Sequence, residues 1–187
     1  VTGKGSKERN VHQSDILTYE ELDRLICASE DLEETAFVLV GVTGGLRLAE
    51  ILGLRRCDIY DDPPSVLVRG ETAKRDKERI VPVTPVTVAL LRGLSTGGGD
   101  EALIFTRQRR AYQARMERLG ERAGVKRKVT PHMLRHTAAT MQIDLGVDLE
   151  TVRDNLGHES IKTTQDYLHL NIRSRSRKYL NALRMVL

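Results

Sequence analysis

Three short runs of β-type residues, Ile59-Tyr60, Val66-Leu67-Val68 and Ile80-Val81-Pro82-Val83, interrupt a chain whose other apolar residues recur at helical spacing. Separated by turn-rich or charged connectors, such runs predict one small antiparallel sheet. Helical signals flank them. Leu17-Thr18-x-x-Glu21-Leu22 carries a capping box (Thr18, Glu21) and a hydrophobic staple (Leu17, Leu22). A second apolar helix is predicted over residues 33–42, punctuated by Gly44-Gly45, and LRLAEILGL follows as a short helix. Thr130-Pro131 opens a helix with Leu134, Ala138, Met141 and Leu145 as its core stripe, and Gly146 closes it. Asp148 caps the next helix, which turns Leu149, Val152 and Leu156 inward before Gly157, and Ser160 opens another that is expected to carry Tyr167. A last basic helix is expected over residues 172–186. The fold class is α+β, mainly helical, with a small antiparallel β-sheet.

Residues 1–16 are polar and aperiodic and read as an N-terminal lead-in or linker, leaving 17–187 as one compact domain. With 40% hydrophobic residues the chain can build a core without disulfides. Cys27 and Cys57 lack a CxxC spacing and suggest buried or idle thiols in a reducing compartment. No apolar run approaches the ~20 residues that a membrane helix needs, and VTGKGSKERN lacks the apolar core of a signal peptide, so a cytoplasmic protein is expected. The net charge of +4 is modest but unevenly spread. Residues 105–128 hold nine Arg or Lys against two Glu, and 171–187 hold five basic residues and no acid. Such stripes either meet a phosphate backbone or are solvated helix faces. The acidic run Glu30, Asp31, Glu33, Glu34 is expected to face solvent.

Three polar features are poorly explained by folding alone. Arg47 and Glu50 lie one turn apart in the otherwise apolar segment TGGLRLAEILGL, where they form either a structural ion pair or part of a site. In PHMLRHT, the spacing puts His132, Arg135 and His136 on one helix face, in first turns whose free N–H groups favour an anion. His132 and His136 also have the i, i+4 spacing of a zinc pair. The Glu of HExxH is missing, however, and Arg135 sets a fixed positive charge beside the would-be metal, so a phosphate is the better guest. The third feature is Leu156-Gly157-His158, followed nine residues later by Tyr167. Each alone has an ordinary structural reading. Together they supply cationic donors for a pentavalent phosphate and a possible nucleophile. The sequence has no acidic cluster for magnesium and no GxxxxGK[ST] loop for a nucleotide.

These segments resemble the tyrosine recombinases, the lambda-integrase or Xer-like family. TGGLRLAEILGL resembles the family's first arginine box, with Arg47 as a catalytic arginine and Glu50 as its acidic companion. VLVRGETAKRDKERIVPV resembles the hairpin that carries the catalytic lysine, placing it at Lys74, with Lys77 as the alternative. TPHMLRHTAAT matches the HxxR box at His132 and Arg135, with His136 supporting, and LGHESIKTTQDYLHL matches the box that holds His158 and the nucleophile Tyr167. The resemblance implies a catalytic domain that cuts and rejoins double-stranded DNA through a covalent 3′-phosphotyrosyl link, without metal, ATP or other cofactor. It also implies a tetramer on paired DNA sites, a nucleoid-associated location and a C-terminal segment, 171–187, that docks on a neighbouring protomer. Two alternatives remain: a non-catalytic DNA-binding regulator of the same fold, and DNA relaxation of the type IB topoisomerase kind.

Overall fold

The computed structural model describes residues 12–72, 78–94, 98–158, 160–165 and 167–168. Lys74, Lys77, the expected helix over 172–186 and most of the polar lead-in lie outside them. The first helix, α1 (Tyr19–Cys27), starts as the sequence predicts, with Thr18 Oγ1 accepting from Glu21 N and Glu21 accepting from Thr18 N. Glu21 also receives both terminal nitrogens of Arg127, at 2.6 and 2.7 Å, so the cap ties α1 to a distant loop as well.

Helix α2 (Leu32–Gly44) is the central element: Ala36, Phe37, Val38, Val40 and Val42 are all buried. Beyond its polar first turn the helix is apolar on most of its surface and must be widely covered, which α1, the last strand of the sheet and later helices do. After the short α3 (Leu48–Leu52) come the three strands β1 (Ile59–Asp61), β2 (Pro64–Val68) and β3 (Arg79–Pro82). They form one antiparallel sheet in the order β1-β2-β3, with Ile59 opposite Val66 and Val66 opposite Val81. Then follow α4 (Pro85–Leu94), α5 (Arg109–Arg122), α6 (Pro131–Asp144), α7 (Leu149–Leu156) and α8 (Ile161–Gln165). Helices α4 and α6 pack on α2. From α5, Tyr112 stacks on Phe37 at 4.9 Å, and Phe105 meets both rings edge-on. Burying each ring contributes about 1.5–3 kcal/mol. A smaller apolar cluster joins α6, α7 and the turn after α8 through Ala139, Ile143, Val152, Leu156 and Tyr167.

The expected α+β fold with its small sheet is what forms, with three local corrections. The helix that follows Ser160 closes at Gln165, and Tyr167 stands on the turn beyond it. Its backbone N–H bonds to Thr164 O, three residues back, a tighter closure than an α-helix makes. Leu145, expected in the core stripe of α6, stands at its C-cap and is 74% exposed; Cys27 and Cys57, the latter half-buried beside Glu101, are free thiols, within the expectation.

The third correction concerns charge. The acidic run does not simply face solvent: Glu34 is 3% exposed and accepts from Arg115 and Arg122, while Glu33 accepts from Arg107 and Tyr112. Part of the basic stripe over 105–128 is thus consumed inside the molecule. Replacing Glu34 with Ala leaves Arg115 and Arg122 short of a buried partner and is expected to lower the unfolding free energy by about 2–3 kcal/mol. Replacing the exposed Glu30, which also pairs with Arg122, should cost under ~0.5 kcal/mol. Equal losses by denaturant titration would contradict this difference.

Candidate active site

Two left-handed glycines bring the site together. Gly45 (φ 65°) caps α2; a Cβ there would lie 2.4 Å from Leu156 Cδ2, so only glycine lets the end of α2 meet α7 this closely. Gly157 (φ 63°) caps α7, and a Cβ there would lie 2.9 Å from Arg79 Nη1. The chain leaving each cap carries a candidate residue, Arg47 after Gly45 and His158 after Gly157.

Arg47 sits at the N-cap of α3. Its backbone N–H donates to Glu50 Oε2 at 2.7 Å, and its Nη1 donates to Glu50 Oε1 at 2.8 Å. Nη2 reaches across to Gly157 O at 3.0 Å. Glu50, 1% exposed, also accepts from Arg79, Nη1 to Oε1 at 3.2 Å and Nη2 to Oε2 at 2.8 Å. Four donors fill the carboxylate's acceptor sites. Burial pushes the Glu50 carboxyl up, but the bonds and charge of Arg79, the Arg47 N–H and the charge of Arg135 outweigh it and hold the group below the usual carboxylate value.

Arg135, on α6, is 3% exposed and donates to Gly45 O at 2.6 Å and Leu156 O at 2.7 Å, spanning the ends of α2 and α7. Burial first, then the neighbouring Arg47, brings its guanidinium down to about 9, with Glu50 opposing; it remains charged at neutral pH. Arg47, His132 and Arg135 line a cavity of about 290 Å³, which also touches Arg109 and Gln113 on α5. The His132 ring keeps exposed surface and meets the His136 ring edge-on at 4.2 Å. His136 Nδ1 contacts the Tyr167 hydroxyl at 2.5 Å. His158 Nδ1 bonds to Thr164 Oγ1 at 3.0 Å, and its ring lies parallel to that of Tyr167 with centroids 6.4 Å apart. All three rings are hard to protonate. Burial, with Arg135 and Arg47 beside it, lowers His132; burial and His132 bring His136 to about 4; burial, Arg135 and Arg47 bring His158 to about 3.

The structure therefore gathers Arg47, Glu50, His132, Arg135, His136, His158 and Tyr167, while Lys74 lies outside the described residues. Local reading of the sequence passed over Arg79. Besides Glu50, it donates through Nε to Asn155 O at 2.8 Å, joining β3 to the end of α7. A signal existed in the strand's alternation: Val81 faces the core, so Arg79, two residues earlier, turns to the same face and needs a buried partner. Among the described residues no group of three or more His, Cys, Asp or Glu is arranged to hold a metal ion.

A model of the phage integrase family matches residues 15–173. The chain belongs to the phage integrase family. It is 36% identical over 156 residues to tyrosine recombinase XerC of Xylella fastidiosa (strain 9a5c), covering 79% of this chain and 52% of that protein. The crystal structure of XerA recombinase is similar at a TM-score of 0.78 and 31% identity, covering 89% of this chain and 64% of that one. XerH site-specific recombinase, bound to palindromic difH substrate in a post-cleavage complex, gives a TM-score of 0.69 at 26% identity, covering 88% of this chain and 52% of that one. The chain spans about half the length of the curated relatives it matches. Its family-matched span contains every candidate residue, Lys74 included.

The depressed histidines predict a pH dependence of stability. Unfolded histidines titrate near ~6.5, whereas folded His136 and His158 stay neutral down to about 4 and about 3. As pH falls below ~6.5 the unfolded chain takes up protons that the folded chain refuses, so stability falls. Denaturation midpoints should drop between pH 7.5 and 5.5, a range in which carboxylates barely titrate, and the drop should be shallower in His158→Gln. A flat wild-type profile would contradict the burial of these rings.

Proposed function

We propose that this chain is the DNA-cutting and rejoining part of a site-specific recombinase, with Tyr167 as its nucleophile. The observation that supports this most is the meeting of Arg47, Arg135 and His132 at one cavity, with the Tyr167 hydroxyl held by His136, whose ring packs against that of His132. Tyr167 Oη attacks the phosphorus of one DNA strand, forming a 3′-phosphotyrosyl link as the bond from phosphorus to the 5′-oxygen breaks. Lys74, or Lys77 in its place, gives the leaving oxygen its proton. Arg47 and Arg135 bind the non-bridging oxygens, whose charge grows as the phosphorus becomes pentavalent, and His132 and His158 hydrogen-bond to the same group. Attack by the 5′-hydroxyl of another strand reverses these steps and exchanges partners. The link conserves the free energy of the phosphodiester, so the cycle requires neither ATP nor a metal ion. Exchange between two duplexes calls for four protomers on paired sites, and the basic segment 171–187 is the part proposed to bridge neighbours.

The test is an adduct assay on nicked duplexes of randomised sequence, run on a denaturing gel. Wild-type protein should form a covalent protein–DNA species, and Tyr167→Phe should form none. An adduct that persists in Tyr167→Phe overturns the assignment of the nucleophile. DNA binding with no adduct on any substrate would favour a non-catalytic regulator.

A further inference from the structure

The arginine clamp and the lysine account for charge on the phosphate and for the leaving oxygen. They leave open where the tyrosine's own proton goes. We propose that His136 is a catalytic residue of this chain, the base that takes the proton from Tyr167 during cleavage and returns it during rejoining. The inference rests on Tyr167 being the nucleophile and adds a separate residue to that reading.

The geometry separates the three histidines. His132 lines the cavity beside Arg47 and Arg135, the side on which a phosphate would lie. His158 Nδ1 is engaged by Thr164 Oγ1, and its ring lies face-to-face with the tyrosine ring. His136 is half-buried on α6, outside the set of residues lining the cavity, and its Nδ1 is in hydrogen-bond contact with the hydroxyl that must lose a proton. The ring is fixed on two sides, by His132 edge-on at 4.2 Å and by Tyr167 with centroids 5.5 Å apart.

A base must be neutral before it acts. The groups that act on His136 are His132 and Arg135 from its own helix, His158 after α7, Asp15 from the turn before α1, and Tyr167. Burial, His132 and Arg135 disfavour the imidazolium and only Asp15 favours it, so the ring is neutral at physiological pH and Nδ1 can accept. In cleavage the O–H bond of Tyr167 breaks and its proton moves to His136 Nδ1. The oxygen's electron pair forms the P–Oη bond, the bond to the 5′-oxygen breaks, and the lysine protonates that oxygen. In rejoining, a 5′-hydroxyl attacks the phosphorus and gives its proton to the lysine, the new P–O bond replaces the P–Oη bond, and Nδ1 returns its proton to the tyrosine oxygen. Tyr167 is 2% exposed, so the contact is made in a site shielded from solvent.

The experiment measures single-turnover adduct formation on the nicked duplexes with wild type, His136→Ala and His136→Asn, with thermal unfolding run alongside. Asparagine can still hydrogen-bond to the hydroxyl but cannot take its proton. Both variants should form the adduct about 100-fold more slowly, still through Tyr167, and added imidazole should restore much of the rate to His136→Ala. The wild-type rate should be level between pH 6 and 8, whereas the rate of His136→Asn should climb with pH. A His136→Asn protein as fast as wild type, or a folded His136→Ala protein that imidazole does not restore, overturns the proposal. If His136→Ala does not fold, His136→Asn decides alone. Adducts that form without Tyr167 would instead mean that the nucleophile itself was misassigned.

Discussion

A buried carboxylate in the middle of an arginine cluster organises this molecule. Glu50 is all but sealed from solvent, and its two oxygens accept from the Arg47 backbone, the Arg47 side chain and both terminal nitrogens of Arg79. With Arg135 Nη1 only 4.0 Å away, three guanidinium groups surround one carboxylate. Without Glu50 they would repel one another across a low-dielectric interior. With it, Arg47 and Arg135 are held side by side and their remaining donors can face the cavity. Positive charge is thus concentrated at the cavity by the protein alone, the preorganisation that the proposed phosphate chemistry calls for.

The same cluster fastens together parts that are distant in sequence. Arg79 joins the strand that returns from the Lys74 connector to the end of α7, Arg47 reaches Gly157, and Arg135 spans Gly45 and Leu156. The backbone carbonyls at the ends of α2 and α7 are satisfied by guanidinium groups in place of water. His158 follows directly from one of those ends, so its position depends on the arginines as much as on its own helix. Away from the site, the arginines of α5 are partly neutralised by Asp31, Glu33 and Glu34. The basic stripe read from the sequence is therefore divided between internal pairing and exposed surface.

What the sequence made legible follows from the range of the interactions. The Thr18–Glu21 capping box, the Asp148 cap and the Arg47–Glu50 pair act within one turn, and each was readable from residue spacing. Family membership was readable because the residue types and order of the four boxes resemble those of a family. The alternating strand residues gave the sheet. Contacts made across the fold were less accessible. Arg79 meets Glu50 across 29 residues, Arg115 meets Glu34 across 81, and His136 meets Tyr167 across 31. No local pattern reports which distant partner a buried charge will find. The acidic run was read as a solvated face for this reason, because its partners lie on another helix. Likewise, whether Tyr167 would fall on a helix or on the turn after it depended on one backbone bond to Thr164 that the spacing does not determine.

If Glu50 and Arg79 act as one unit that holds the arginine pair, their effects on chemistry must be coupled. A double-mutant cycle on single-turnover cleavage, with Glu50→Gln, Arg79→Met and the double variant, measures that coupling directly. The double variant should be no slower than the slower of the two single variants, because removing either partner already frees the cluster. A double variant slowed by the full product of the two single effects would show that the residues act independently, and would contradict the buried carboxylate as organiser of the site.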